Sequence, residues 1–231
     1  MAGPLLLCGA FAALAIALVW YSAKRERERR EALAAWAARE GFRFLPGRDP
    51  SFDERFPSFP SLRDGSNRYA YNVVQGKRGD RPLHAFDYHY ETHSTDGKGR
   101  RRTHHHHFSG VIVRTDLPLR PLAIRPEGFL DRLAEFVGID DIDFESAEFS
   151  RRFHVKAPDR RWAYDVIHQD TMEFLLAAPA FQLQFGAPDA IAFRTGRFDV
   201  PGDFRDAIAV LEGILARIPA DLFRDRTTEG R

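Results

Sequence analysis

Cysteine is all but missing from the chain, with Cys8 its one representative. Beyond the first two dozen residues there is therefore no disulfide, no thiol nucleophile and no cysteine-based zinc site. An excess of charge of either sign is also lacking, since 34 Lys and Arg stand against 33 Asp and Glu. A formal net charge of +1 argues against a dedicated nucleic-acid binder, which normally carries a marked basic surplus, so no nucleic-acid partner is expected. The chain contains no G-x-G-x-x-G, P-loop, G-x-S-x-G or H-E-x-x-H pattern, and no internal repeat. No serine or cysteine stands in a recognisable catalytic setting near His168, Asp170 and Glu173, so no catalytic set is expected there.

What is present begins at once. Pro4 to Tyr21 (PLLLCGAFAALAIALVWY) has no charged side chain. As a helix it would rise about 27 Å, close to the roughly 30 Å hydrocarbon core of a bilayer. Trp20 and Tyr21 close the run where amphipathic rings favour the headgroup boundary. Residues 1–23 thus read as a transmembrane anchor whose partner is the lipid bilayer through residues 4–21. A signal peptide fits less well, because bulky Trp20 and Tyr21 occupy the place of a small-residue cleavage site. Residues 24–40 follow as a juxtamembrane helix with six basic residues (Lys24, Arg25, Arg27, Arg29, Arg30, Arg39). By the positive-inside rule the span is single-pass in the plasma (inner) membrane, the N-terminus outside and the C-terminal domain cytoplasmic.

Residues 41–220 carry ample material for a core, with 44% apolar residues and 20 Phe in the whole chain. Gly41 to Asn67 has repeated Phe-Pro steps and five Phe, which predicts an ordered, irregular wrap that buries its rings. Alternation then predicts strands over Tyr69–Gln75, Pro82–His93 and Thr103–Thr115, joined as an antiparallel meander. A short strand is expected at Pro121–Arg125, a helix over Gly128–Val137, and a strand beginning at a bend over Phe149–Lys156. Trp162–Ala178 reads as helical with a break near Asp170 or Thr171, and Phe181–Phe185 with Ala190–Arg194 as a hairpin. Pro201–Ile218 is an amphipathic helix with Phe204, Ile208, Leu211 and Leu215 on one stripe. Residues 221–231 form a polar tail. The fold class is α+β, a mainly antiparallel sheet covered by helices and preceded by the transmembrane helix.

One cluster points to chemistry. Seven of the nine histidines lie between His84 and His107. If His93 pairs with His104 and Glu91 with His106, then Glu91, His93, His104 and His106 gather at the sheet end. Three imidazoles and a carboxylate suit Zn or another divalent transition metal. A one-residue change of register would disperse them, in which case they are solvated polar residues and no cofactor is expected. Protonation of adjacent imidazoles near pH 6.5 is another use of the same cluster. The acidic run Asp140 to Glu148 lacks the spacing and central glycine of a calcium loop and reads as an exposed linker.

Phe149-x3-Phe153-x-Val155, Asp159, Ala163, Asp165 and Met172-Glu-Phe-Leu-Leu176 together resemble a family of bacterial membrane-anchored proteins of unassigned function. Tyr71-Asn-Val-Val, Ala85-Phe-Asp-Tyr and Arg101-Arg-Thr-His are similar to an actinobacterial-type branch of that family. The resemblance covers roughly Gly41 to Pro219. It implies one or two transmembrane helices ahead of this domain, and it supplies no catalytic residues. The composite expectation is a membrane protein with a cytoplasmic interaction domain that binds a protein partner or the membrane surface. The alternative is a metal-binding domain built on the His84–His107 hairpin.

Overall fold

The computed structural model of the chain describes residues 3–97, 99–128, 139–219 and 222, with the side chains of the first helix described from residue 13. The expected helix at Gly128–Val137 and the polar tail lie almost wholly outside the described residues. Helix α1 (Gly3–Glu40) is continuous and is stopped by Gly41, whose φ of 71° lets the chain reverse. Among the described residues no helix is long and apolar enough to cross a membrane. Residues 4–12 of the expected span contribute no described side chains.

Eight strands form one sheet in the order β1-β2-β3-β4-β8-β7-β5-β6. They are β1 (Arg43–Leu45), β2 (Ser66–Arg78), β3 (Arg81–Thr95), β4 (Arg101–Arg114), β5 (Leu122–Pro126), β6 (Phe153–Lys156), β7 (Gln182–Gly186) and β8 (Asp189–Thr195). Every pairing in it is antiparallel. The α+β reading and the meander thus agree with the structure.

Both faces of the central strands are buried, and strict alternation decides which side chain goes where. On one face Leu83, Ala85, Val111, Val113, Ala190 and Ala192 join a large core with residues of the helices. Those helices are α3 (Ala147–Arg152), α4 (Arg160–Val166), α5 (Gln169–Ala177) and α6 (Gly202–Arg217). On the other face Phe86, Tyr88, Phe108, Ile112, Ile191 and Phe193 pack with Phe52, Phe56, Phe59 and Leu62. The phenylalanine-proline wrap, which includes the short helix α2 (Phe52–Arg55), is therefore the lid of a second core. Helices α1 and α3 to α6 lie on the first face, and the short α2 lies in the wrap on the second.

Two local expectations are corrected. Phe149 to Arg152 is helical, and the strand begins only at Phe153; Ser146 caps that turn by accepting from the Phe149 amide at 3.2 Å. The break in the Trp162–Ala178 helix falls at Ile167 and His168, where α4 ends and α5 begins. The juxtamembrane helix expected at residues 24–40 is the second half of α1. Leu33, Trp36 and Ala37 of α1 are buried in the large core, with Trp36 stacked on Phe204 at 5.5 Å between ring centroids.

The direction of α1 matters for the site. Glu26 and Arg29 lie beside Asn72 and Asp87. The helix C-terminus leads to Phe42, whose ring lies where a Cβ on Gly76 would be. Helix α1 and strand β2 therefore run the same way. The far end of the β3–β4 hairpin points towards the N-terminal half of α1.

His84, on the second-core face of β3, shows what burial does to a titrating group. Phe56 lies 5.2 Å away, ring centroid to centroid. Burial, aided by the nearby Arg55 guanidinium, pushes His84 down to about 4. The unfolded chain then binds the extra proton between roughly pH 4 and 6.5, so stability is full above that window and falls as the pH drops through it. His84→Gln is expected to remove about 2 kcal/mol of the stability difference between pH 7 and pH 4.5, read from urea midpoints. An unchanged difference would exclude His84 as its source.

Candidate functional site

Two polar clusters lie on the α1 face of the sheet. The first is a lock between helix α1 and the sheet. Asp87 lies in the middle of an apolar strand with its side chain fully buried, and Arg29 reaches it from α1 with only 12% of its own side chain exposed. The guanidinium grips both carboxylate oxygens, Nε to Oδ2 at 2.9 Å and Nη2 to Oδ1 at 2.7 Å. Its Nη1 donates to the Phe198 carbonyl at 2.6 Å. Ser109 Oγ donates to Asp87 Oδ1 at 2.5 Å, and Asn72 Nδ2 donates to Asp87 Oδ2 at 3.1 Å. Asn72 reaches this position because its φ of 53° accompanies an irregularity between Tyr71 and Val74 in the β2 register. A fork-shaped cation on a dry carboxylate with further donors is the arrangement in which a buried ion pair is well satisfied.

One turn earlier on α1, Glu26 accepts from Arg197 at 2.6 Å and from Asn72 at 3.2 Å. Burial alone would raise the Glu26 carboxyl, but those two hydrogen bonds and the Arg197 charge outweigh it and hold the group below its ordinary value. Tyr71 is pushed up to about 12, by burial first and then by the Asp87 charge. These groups hold a helix in place.

The second cluster is the histidine end of the β3–β4 hairpin. Its register pairs Glu91 with His105, Thr92 with His104 and His93 with Thr103. This is one residue away from the expected pairing, so the four predicted residues divide between two faces. Glu91 and His93 lie on the α1 face with His89, His105 and His107. His104 and His106 lie on the other face, where they contact Ser94 Oγ and Thr92 Oγ1, both at 2.8 Å. His93 is held by Ser66 Oγ at 3.1 Å and Thr103 Oγ1 at 3.2 Å.

The structure instead brings together His89, Glu91 and His105, with one ligating atom from each inside a 4.8 Å group. Sequence reasoning missed His89 and His105 because register, and not composition, decides membership. Asn67 supports two of the three. Its carbonyl accepts from His89 Nδ1 at 3.2 Å, and its side-chain amide donates to Glu91 Oε1 at 2.7 Å. The latter bond is the leading reason that Glu91 is held below its ordinary pKa. Gly65 permits the close approach: its φ is 65°, and a Cβ there would lie 2.2 Å from the Glu91 carbonyl oxygen. Beside the trio, His107 is lowered by burial and then by its neighbour His89.

His168 and Glu173 have structural duties. His168 Nε2 donates to the Arg217 carbonyl at 2.9 Å, joining α5 to α6. Glu173 accepts from Gln169 at 2.9 Å, one turn away.

No family model matches the chain, and no curated protein sequence matches it. Among solved structures, the fold is similar to the crystal structure of the mycobacterial trehalose monomycolate transport factor A, TtfA. The TM-score is 0.62 at 12% sequence identity, over 82% of this chain and 96% of that one. At that identity the likeness concerns the fold alone.

Proposed function

We propose that the chain is a single-pass membrane protein whose α+β domain is a non-catalytic accessory module, held rigidly against the cytoplasmic face of the bilayer. The observation that carries this reading is the continuity of α1. Its second half is core, locked by Arg29–Asp87, while its first half leaves the domain with Leu14, Ile16, Leu18, Val19, Trp20 and Tyr21 all more than half exposed. Such a row is expensive in water and favourable in hydrocarbon. The Lys24 ammonium over the Trp20 ring, 5.6 Å from its centroid, and the Arg25 guanidinium 5.8 Å from Tyr21 suit the headgroup boundary. The basic residues from Lys24 to Arg30 favour the cytoplasmic side for the domain. A structural neighbour named as a transport factor supports an accessory role, exercised on a protein partner.

Alkaline carbonate extraction of membranes tests the anchor. The full chain is expected to stay in the pellet, and Leu14→Arg with Leu18→Arg to release it, since each arginine costs about 3 kcal/mol in a span. A reporter active only outside the cytoplasm, fused after Arg231, is expected to be silent. Full release of the unsubstituted chain, or a strong reporter signal, would overturn the reading.

A further inference from the structure

We propose that His89, Glu91 and His105 form a binding site for one divalent transition-metal ion of the zinc type, with Asn67 as the residue that orients two of its ligands. This inference does not depend on the membrane placement above.

Two of the three ligand spacings are already those of a bound ion. His89 Nε2 lies 3.2 Å from His105 Nδ1, and His105 Nδ1 lies 3.3 Å from Glu91 Oε1. Two atoms each at about 2.0–2.1 Å from one tetrahedral ion are separated by roughly 3.3–3.4 Å. The third edge, between His89 and Glu91, lies within 4.8 Å and closes by a small turn of the Glu91 carboxylate.

The protonation pattern is also suitable. A carbonyl oxygen can only accept, so the His89 Nδ1 that faces Asn67 O at 3.2 Å carries the proton. In the neutral ring the lone pair is then on Nε2, the atom that faces the other two ligands. A ligating imidazole whose other nitrogen donates to a backbone carbonyl is the usual way of fixing tautomer and ring orientation at metal centres. Tyr69 stacks on the same ring at 4.6 Å between centroids, and His89 is only 4% exposed, so its direction is set by packing. Asn67 holds the second ligand as well, through its amide on Glu91. The residue adopts φ 48°, which brings its carbonyl and side chain to the same neighbourhood. His105 Nδ1 lies between His89 Nε2 and Glu91 Oε1; with an ion bound, the neutral ring carries its one proton on Nε2, which frees the Nδ1 lone pair for the metal. Two imidazoles and one carboxylate select zinc, cobalt, nickel or copper over magnesium and calcium. Three protein ligands leave a position for water.

Titration of the purified full chain in detergent with Co²⁺ alone tests the site through the ligand-field absorption of the ion. One Co²⁺ per chain is expected, displaced by one equivalent of Zn²⁺. Glu91→Gln and His105→Gln, both at the exposed hairpin end, are each expected to weaken binding at least about tenfold, and Asn67→Gly by about 10–100-fold with its backbone freedom kept. Circular dichroism would confirm that each variant is folded. The double variant His104→Gln, His106→Gln, on the opposite face, should bind as tightly as the parent. Three results would overturn the site: no binding by the parent, binding undiminished in Glu91→Gln and His105→Gln, or binding lost in the opposite-face variant.

Discussion

A chain that begins at Ala23 is expected to fold, and a chain that begins at Gly41 is expected not to. The shorter version lacks Leu33, Trp36 and Ala37, all buried in the large core. Loss of Trp36 alone corresponds to a core truncation costing about 3–5 kcal/mol. Removing Arg29 also leaves Asp87 buried without its cation, a further 3–5 kcal/mol or so. Their sum is comparable to the whole stability of an ordinary domain, about 5–15 kcal/mol. Thermal unfolding followed by circular dichroism separates the cases: a single cooperative transition for the longer version, and a broad, featureless melt for the shorter. A cooperative melt of the chain from Gly41 would show that α1 is an attachment and not a part of the domain.

The Arg29–Asp87 pair should give the largest effect of any single exchange at the lock. Arg29→Leu leaves a carboxylate with no exposure facing only Ser109 and Asn72, and a loss of about 3–5 kcal/mol is expected. Asp87→Leu is expected to cost a similar amount, because Arg29 keeps only its bond to the Phe198 carbonyl and its 3.4 Å contact with Ser109. The double exchange Arg29→Leu, Asp87→Leu should cost much less than the sum, since no unpaired charge remains buried. Urea unfolding of the chain that begins at Ala23 gives all four corners of the cycle. Strict additivity would mean that the two side chains do not act together. The pair also fixes the angle at which the helix leaves the domain, so the double exchange keeps the fold while loosening its orientation at the membrane.

Much of this arrangement could be read from the residues. The apolar residues of Pro82–His93 and Thr103–Thr115 announced strands, and the five Phe of residues 41–67 announced a buried wrap. The histidine register was hidden because the exposed hairpin end carries polar residues on both faces, so nothing local penalises a slip. Its pairing is imposed from further back, where Tyr88 must meet Phe108 and Ala85 must meet Val111. The lock escaped for a different reason. Arg29 and Asp87 are 58 residues apart, and no spacing rule connects them. The available signal was Asp87 itself, a carboxylate between Phe86 and Tyr88, which demands a cation from somewhere in the fold. Phe149 was misassigned because Phe149, Phe153 and Val155 satisfy a strand pattern, while the Ser146 cap upstream starts a turn of helix first.

The claim on which the functional reading stands is that α1 enters the bilayer and emerges near Lys24. Single cysteines introduced at successive positions from 13 to 30, with Cys8 replaced by serine, can be tested for maleimide labelling in intact membranes. Protection through Tyr21 followed by ready labelling at the exposed positions from Lys24 onward is the predicted result. Uniform labelling along the whole helix, at the rate seen in unfolded protein, would contradict it.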